Sequence, residues 1–90
     1  MDILKDKVIK AKNFLFSRQH SYQLTFKKDD MAVKNVLADL AKFCRANESS
    51  FNPDPRIHSI LEGRREVWLR IINHLNLSSQ DLWELYSKKD

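Results

Sequence analysis

A single glycine among ninety residues, with only two prolines beside it, leaves this chain little material for tight β-hairpins or glycine-rich loops. Its apolar residues instead recur at spacings of three and four, the period of a helix buried along one side. We therefore expect an all-α fold, one helical domain over residues 1–90 with three or four helices, the first long and the last short. A chain of this length buries only a modest fraction of its surface, so partner chains can complete its core. An apolar fraction of 42% and a charged fraction of 31% fit a folded, soluble chain rather than a disordered one.

The first periodic segment spans about Ile3 to Phe26. Leu4, Val8, Ala11, Leu15, Tyr22 and Phe26 make its stripe, Ile3, Phe14 and Leu24 widen it, and Lys5, Lys12, Gln19 and Gln23 read as the polar face. One long helix, or two with a bend near Ser21, satisfies the pattern. Lys27-Lys28-Asp29-Asp30 then closes one helix and opens the next, lysines suiting the negative end of a helix dipole and Asp29 or Asp30 the exposed N–H groups that follow. Met31, Val33, Val36, Leu37, Leu40, Ala41 and Cys44 form a second stripe ending near Arg45 to Asn47, and the short connection predicts a hairpin of helices one and two. The run Ser49-Ser50-Phe51-Asn52-Pro53-Asp54-Pro55 is a turn ending in a helix start, with Asp54 as cap and Pro55 in the first helical position. Phe51 reads first as an anchor pinning this loop to the core, and alternatively as an exposed contact. A third helix over about Pro55 to Leu75 carries Ile57, Ile60, Leu61, Trp68, Ile71, Ile72 and Leu75. Ser78 with Asp81 resembles a capping box opening a short last helix with Leu82, Trp83, Leu85 and Tyr86, before a solvated Lys88-Lys89-Asp90 tail.

The residues for chemistry are sparse. Cys44, the sole cysteine, excludes an internal disulfide and a cysteine-rich metal knot, and its apolar row predicts an inert, buried thiol. His20, His58 and His74 stand at no paired metal-ligand spacing. Ser49 and Ser50 lack a nucleophile elbow. No metal, cofactor or catalytic residue is expected. No apolar run approaches the roughly 20 residues that cross a bilayer, and the charged first dozen residues lead into no signal-peptide core, so the expected setting is a reducing cytoplasm without a membrane. A net charge of +4 is modest and its bases are interspersed with acids, a weak warrant for nucleic-acid binding.

Two arginines break the apolar rows: Arg18 between Leu15 and Tyr22, and Arg64 between Leu61 and Trp68. Three readings stay open for them. Their stems can cover apolar surface while the guanidinium reaches water, they can pair with Glu62, Glu66, Asp39 or Asp54, or they can meet a partner. The densest polar cluster is Asp54-Pro55-Arg56 followed by Glu62-Gly63-Arg64-Arg65-Glu66, with Arg70 beyond it. Glu62 and Glu66 repel one another at the helical spacing of four, which favours a cross-helix ion network over a local one. Gly63, costly inside a helix, implies the close approach of another segment or a tolerated surface glycine. Phe51, Trp83 and Tyr86 are the candidate hydrophobic interface, and Trp68 reads as core.

The stretches FLFSRQHSYQLTF, VLADLAKFC and FNPDPR, followed by LEGRREVWLRIINHL, resemble a family of small, functionally uncharacterised proteins of short-tailed bacteriophages, first named from a Bordetella phage. The resemblance covers roughly residues 14–85. It implies a setting near packaging, portal and head proteins, and no reaction or ligand. The resulting expectation is a non-enzymatic phage protein in the host cytoplasm or the virion, working through contact with a phage structural or packaging protein or a host protein, or with copies of itself. Nucleic-acid binding through Arg56, Arg64, Arg65 and Arg70 is the weaker expectation, as is modulation of a host protein.

Overall fold

A computed structural model describes residues 2–27 and 29–87. Lys28 and the Lys88-Lys89-Asp90 tail, both assigned roles from sequence, lie outside those residues. Four helices follow in order: α1 (Ile3–Phe26), α2 (Met31–Phe43), α3 (Pro55–Asn76) and α4 (Ser79–Ser87). The fold is all-α with a long first helix and a short last one, as the periodicity predicts.

The helix starts are set by side chains that accept hydrogen bonds from otherwise unpaired N–H groups. Asp2 accepts from the Leu4 amide at 3.0 Å, Asp30 from Ala32 at 2.7 Å, Asp54 from Arg56 at 2.9 Å, and Ser78 from Asp81 at 3.1 Å. Asp30, rather than Asp29, therefore caps α2, and Asp29 instead forms an exposed ion pair with Lys34. α1 runs unbroken through Ser21, whose hydroxyl donates to the Ser17 carbonyl without ending the helix.

The end of α2 is less ordinary. The Arg45 amide donates to the Lys42 carbonyl and the Ala46 amide to the Ala41 carbonyl, the paired bonds of a Schellman turn. That turn needs a left-handed residue, and Arg45 fills the position at φ 56°, where glycine is the usual occupant. Its guanidinium is held by Glu48 at 3.0 Å.

α1 packs most extensively on α3 and also meets α2 and α4. The expected scaffold of helices one and two is thus only partly present: they meet near their junction, where Thr25 and Phe26 face Ala32, Val33 and Val36, and the main axis is α1 against α3. The buried apolar side chains are Leu15, Cys44, Leu61, Ile71, Leu75 and Leu82, three of them from α3. Cys44 has the expected buried place, closing α2. Trp68, read as core, is only half-buried.

The described residues measure 52 × 37 × 15 Å with a radius of gyration of 16.2 Å, whereas a compact chain of this length has one of about 12 Å. A slab of that thickness accommodates two helices at the usual 8–10 Å separation and no more. Most helices therefore keep one face in water, and large apolar side chains from all four are exposed.

Gly63 resolves plainly. A Cβ built on it meets nothing within 4 Å, so the close approach expected as one compensation does not occur within the chain. Gly63→Ala is expected to raise stability by about 0.5–1 kcal/mol, read as a higher urea midpoint with an unchanged slope.

Candidate functional site

The sequence-selected polar residues do not form one site. Arg64 lays its guanidinium over the Phe43 ring, 4.3 Å from the centroid. Glu62 accepts from the Ser50 hydroxyl, and Arg65 donates to the Glu48 carbonyl at 3.3 Å. The cross-helix ion network expected for Glu62, Arg65 and Glu66 is replaced by hydrogen bonds that tie the loop before α3 to its middle. The reason is geometric: the turn after α2 brings loop oxygen atoms over α3, and they take the places that carboxylates and guanidinium groups would fill. Among the described residues the ion pairs are Lys34–Asp29 and Arg45–Glu48, so neither Arg18 nor Arg64 is paired with Glu62, Glu66, Asp39 or Asp54 there. Both instead lay their guanidinium groups over aromatic rings of the same chain, a placement that none of the three readings names.

Phe51 corrects the anchor reading. It is 72% exposed, with only the edge of the His58 ring against it at 6.0 Å between centroids. Ser49 and Asn52 explain why: their side chains accept from the Phe51 and Asp54 amides, so the loop is held by its own turns and needs no core anchor. Arg56 is exposed at the start of α3, and Asp54 serves as backbone cap rather than as a charge partner.

The most organised polar cluster centres on His74, one of the three histidines that stand at no paired metal-ligand spacing in the sequence. Its side chain is wholly buried. A carbonyl only accepts, so the 2.6 Å contact from Nδ1 to the Arg70 carbonyl places the ring proton on Nδ1, and Nε2 is left to accept from Arg18 Nε at 3.1 Å. Tyr22 stacks on the imidazole at 4.2 Å and Tyr86 tilts against it at 5.4 Å. The guanidinium groups of Arg18 and Arg70 lie 5.5 and 5.3 Å from the centre of the Tyr86 ring. Burial pushes the imidazole below its ordinary pKa; the hydrogen bond to the Arg70 carbonyl opposes this, while the charges of Arg18 and Arg70 add to it.

Beside it stands Gln19, assigned from sequence to the polar face of α1 and in fact buried. Its amide nitrogen donates to the Leu77 carbonyl at 2.8 Å and the His74 carbonyl at 3.3 Å, and its oxygen accepts from the Ser79 hydroxyl at 3.1 Å. One side chain thereby pins the end of α3 and the start of α4 to α1. The spacing Leu15, Gln19, Tyr22, Phe26 carries the signal, since Gln19 falls within the apolar row rather than opposite it.

Among the described residues no three His, Cys, Asp or Glu side chains converge as a metal set, and no helix is long and apolar enough to cross a membrane. An open groove of about 450 Å³ runs beside the cluster, lined by Glu66, Val67, Leu69, Arg70, Leu85 and Tyr86. Of the expected interface residues, Tyr86 is on that groove and at the margin of exposure, while Trp83 is half-buried beneath the Lys12 ammonium, 5.3 Å from its ring centre.

Residues 22–86 match the Bbp19-like phage protein family, well over half of the 90-residue chain. The chain belongs to that family. It is the short-tailed-phage family that the sequence resembles, and the match reaches from Tyr22 to Tyr86, the two tyrosines that hold His74. It begins later than residue 14, so FLFSRQHS, including Arg18 and Gln19, precedes the Bbp19-like region. No curated protein and no solved structure matches the chain.

Proposed function

We infer that this member of the Bbp19-like family is non-enzymatic and works by protein–protein contact in the assembly of the virion, its head or its packaging machinery. The host cytoplasm, or the virion itself, is its place of action. One observation carries the reading: among the described residues a slab 15 Å thick leaves Ile3, Leu4, Phe14, Met31, Phe43 and Phe51 more than half exposed while burying six apolar side chains. Exposed apolar surface on that scale is the mark of a chain whose core is completed by others. The family supports the setting, and the modest charge supports a protein rather than a nucleic-acid partner.

The arginines support the same preference. Arg56 and Arg70 lie about 40° apart on α3, but Arg64 and Arg65 turn away from them and engage Phe43 and Glu48. No continuous basic stripe for a phosphate backbone results. Copurification of the full chain from infected cells, followed by mass spectrometry, is expected to return a phage structural, portal or packaging protein, or a host protein. Sedimentation across the micromolar range tests whether copies of the chain also pair. Salt-dependent duplex binding that falls when Arg65 or Arg70 is neutralised, in a still-folded protein, would replace this reading with the nucleic-acid one.

A further inference from the structure

The row Leu4, Val8, Ala11, Leu15, Arg18, Tyr22 alternates steps of four and three, the seam of a coiled-coil heptad. Its second half is consumed inside the domain, where Leu15 is buried and Arg18 and Tyr22 meet His74. Its first half is not covered: Leu4 is 70% exposed, Val8 43%, and Ala11 is exposed too. The alternating steps of four and three fit another helix, and Ile3 and Phe14, 71% and 70% exposed, widen the open face on the side of Lys7.

The residues flanking the exposed seam decide its occupant. In the register that puts Leu4 and Ala11 at d and Val8 at a, the flanking e and g positions are Lys5, Lys7, Lys12 and Phe14, without an acid among them; Lys12 lies over the Trp83 ring, so Lys5 and Lys7 are the exposed charges beside the seam. Asp6 falls on the far side of the helix. A parallel second copy would set Lys7 against Lys12, and an antiparallel one with Val8 opposite Leu4 would set Lys7 against Lys7 and Lys5 against Lys5. Either pairing is repulsive, so this seam selects against itself. The complementary surface is a helix with apolar a and d residues and glutamate or aspartate beside them.

We propose that the exposed N-terminal seam of α1 docks an acidic amphipathic helix of another protein. The proposal rests on the reading of this protein as one that acts by protein–protein contact, and it names the chemistry of one partner surface. Residues 3–11 lie before the matched residues 22–86.

The test uses the full chain and two synthetic heptad peptides with leucine at a and d, one carrying glutamate at every e and g position and the other lysine. Fluorescence anisotropy is expected to show binding of the glutamate peptide, weakening as salt rises, and none of the lysine peptide. The double variant Lys5→Glu with Lys7→Glu should bind the glutamate peptide at least about tenfold more weakly and gain the lysine peptide. Val8→Asp should bind neither. All three positions are exposed, so helicity by circular dichroism should not change. Equal binding of both peptides, or glutamate-peptide binding indifferent to these substitutions, overturns the proposal. So does a wild-type dimer that Val8→Asp makes monomeric, or Val8-dependent binding to phosphatidylserine vesicles. A partner that copurifies equally with the wild type and Val8→Asp overturns the seam alone and leaves the wider assembly reading standing.

Discussion

Gln19→Ala is expected to lower the stability of this protein by about 1–3 kcal/mol, a large share of what a folded chain of 90 residues possesses. The reasoning follows the three groups that Gln19 satisfies. Truncation leaves the buried His74 carbonyl with one donor fewer, frees the Leu77 carbonyl at the end of α3, and removes the acceptor of the Ser79 hydroxyl. The His74 carbonyl is buried, and leaving it short of a donor costs more than the net gain of making the bond, whereas Leu77 is half-buried and Ser79 exposed, so water offsets part of their loss. α4 should suffer most, since its nine residues are too few to persist as a helix without docking. Leu82, wholly buried, then loses its seat. Urea unfolding followed by circular dichroism and by tryptophan emission should separate into two transitions, with Trp83 reporting first. A single transition at the wild-type midpoint would show that Gln19 carries none of this load.

Gln19 also shows where the sequence was readable and where it was not. Helix starts were legible because a cap is a local event: Asp54 followed by Pro55, or Ser78 three residues before Asp81, fixes a boundary through bonds spanning two or three residues. The four-helix order followed from the same signals and from apolar periodicity. The polar cluster was not legible, because its partners are 55 to 60 residues apart in sequence. A glutamine between Leu15 and Tyr22 looks the same whether it meets water or a helix end. Arg18 was recognisable as an anomaly in an apolar row, but its acceptor turned out to be a neutral imidazole, a choice that charge pairing does not suggest. Phe51 failed for the opposite reason: an aromatic residue in a loop invites an anchor, and a loop already closed by Ser49 and Asn52 has no use for one.

Mild acid should loosen the protein through His74, with the sign set by the direction of its shift. The imidazole has an ordinary pKa of 6.5 and is held lower when folded, chiefly by burial. Protons therefore bind the unfolded chain more tightly than the folded one. The stability associated with the neutral ring is fully present above about pH 6.5 and is lost as pH falls through the lower, folded value. The structure supplies the mechanism. Protonation turns Nε2 from an acceptor into a donor facing Arg18 Nε, and it adds a positive charge beside two guanidinium groups. What faces the ring is Arg18, Gln19 and Tyr22 from α1, Arg70 from its own helix, and Tyr86 from α4, with no carboxylate among these neighbours to absorb the charge. Arg18 must leave, and with it goes its contact with the Tyr86 ring, so α4 is again the element released. His74→Phe keeps a ring between Tyr22 and Tyr86 but removes the titration and the acceptor. It should unfold at lower urea than wild type near neutral pH, by about 1–3 kcal/mol, and lose no further stability from this site between about pH 7 and pH 5. A wild-type urea midpoint that falls no more steeply over that interval than the variant's would show that His74 does not gate the docking of α4.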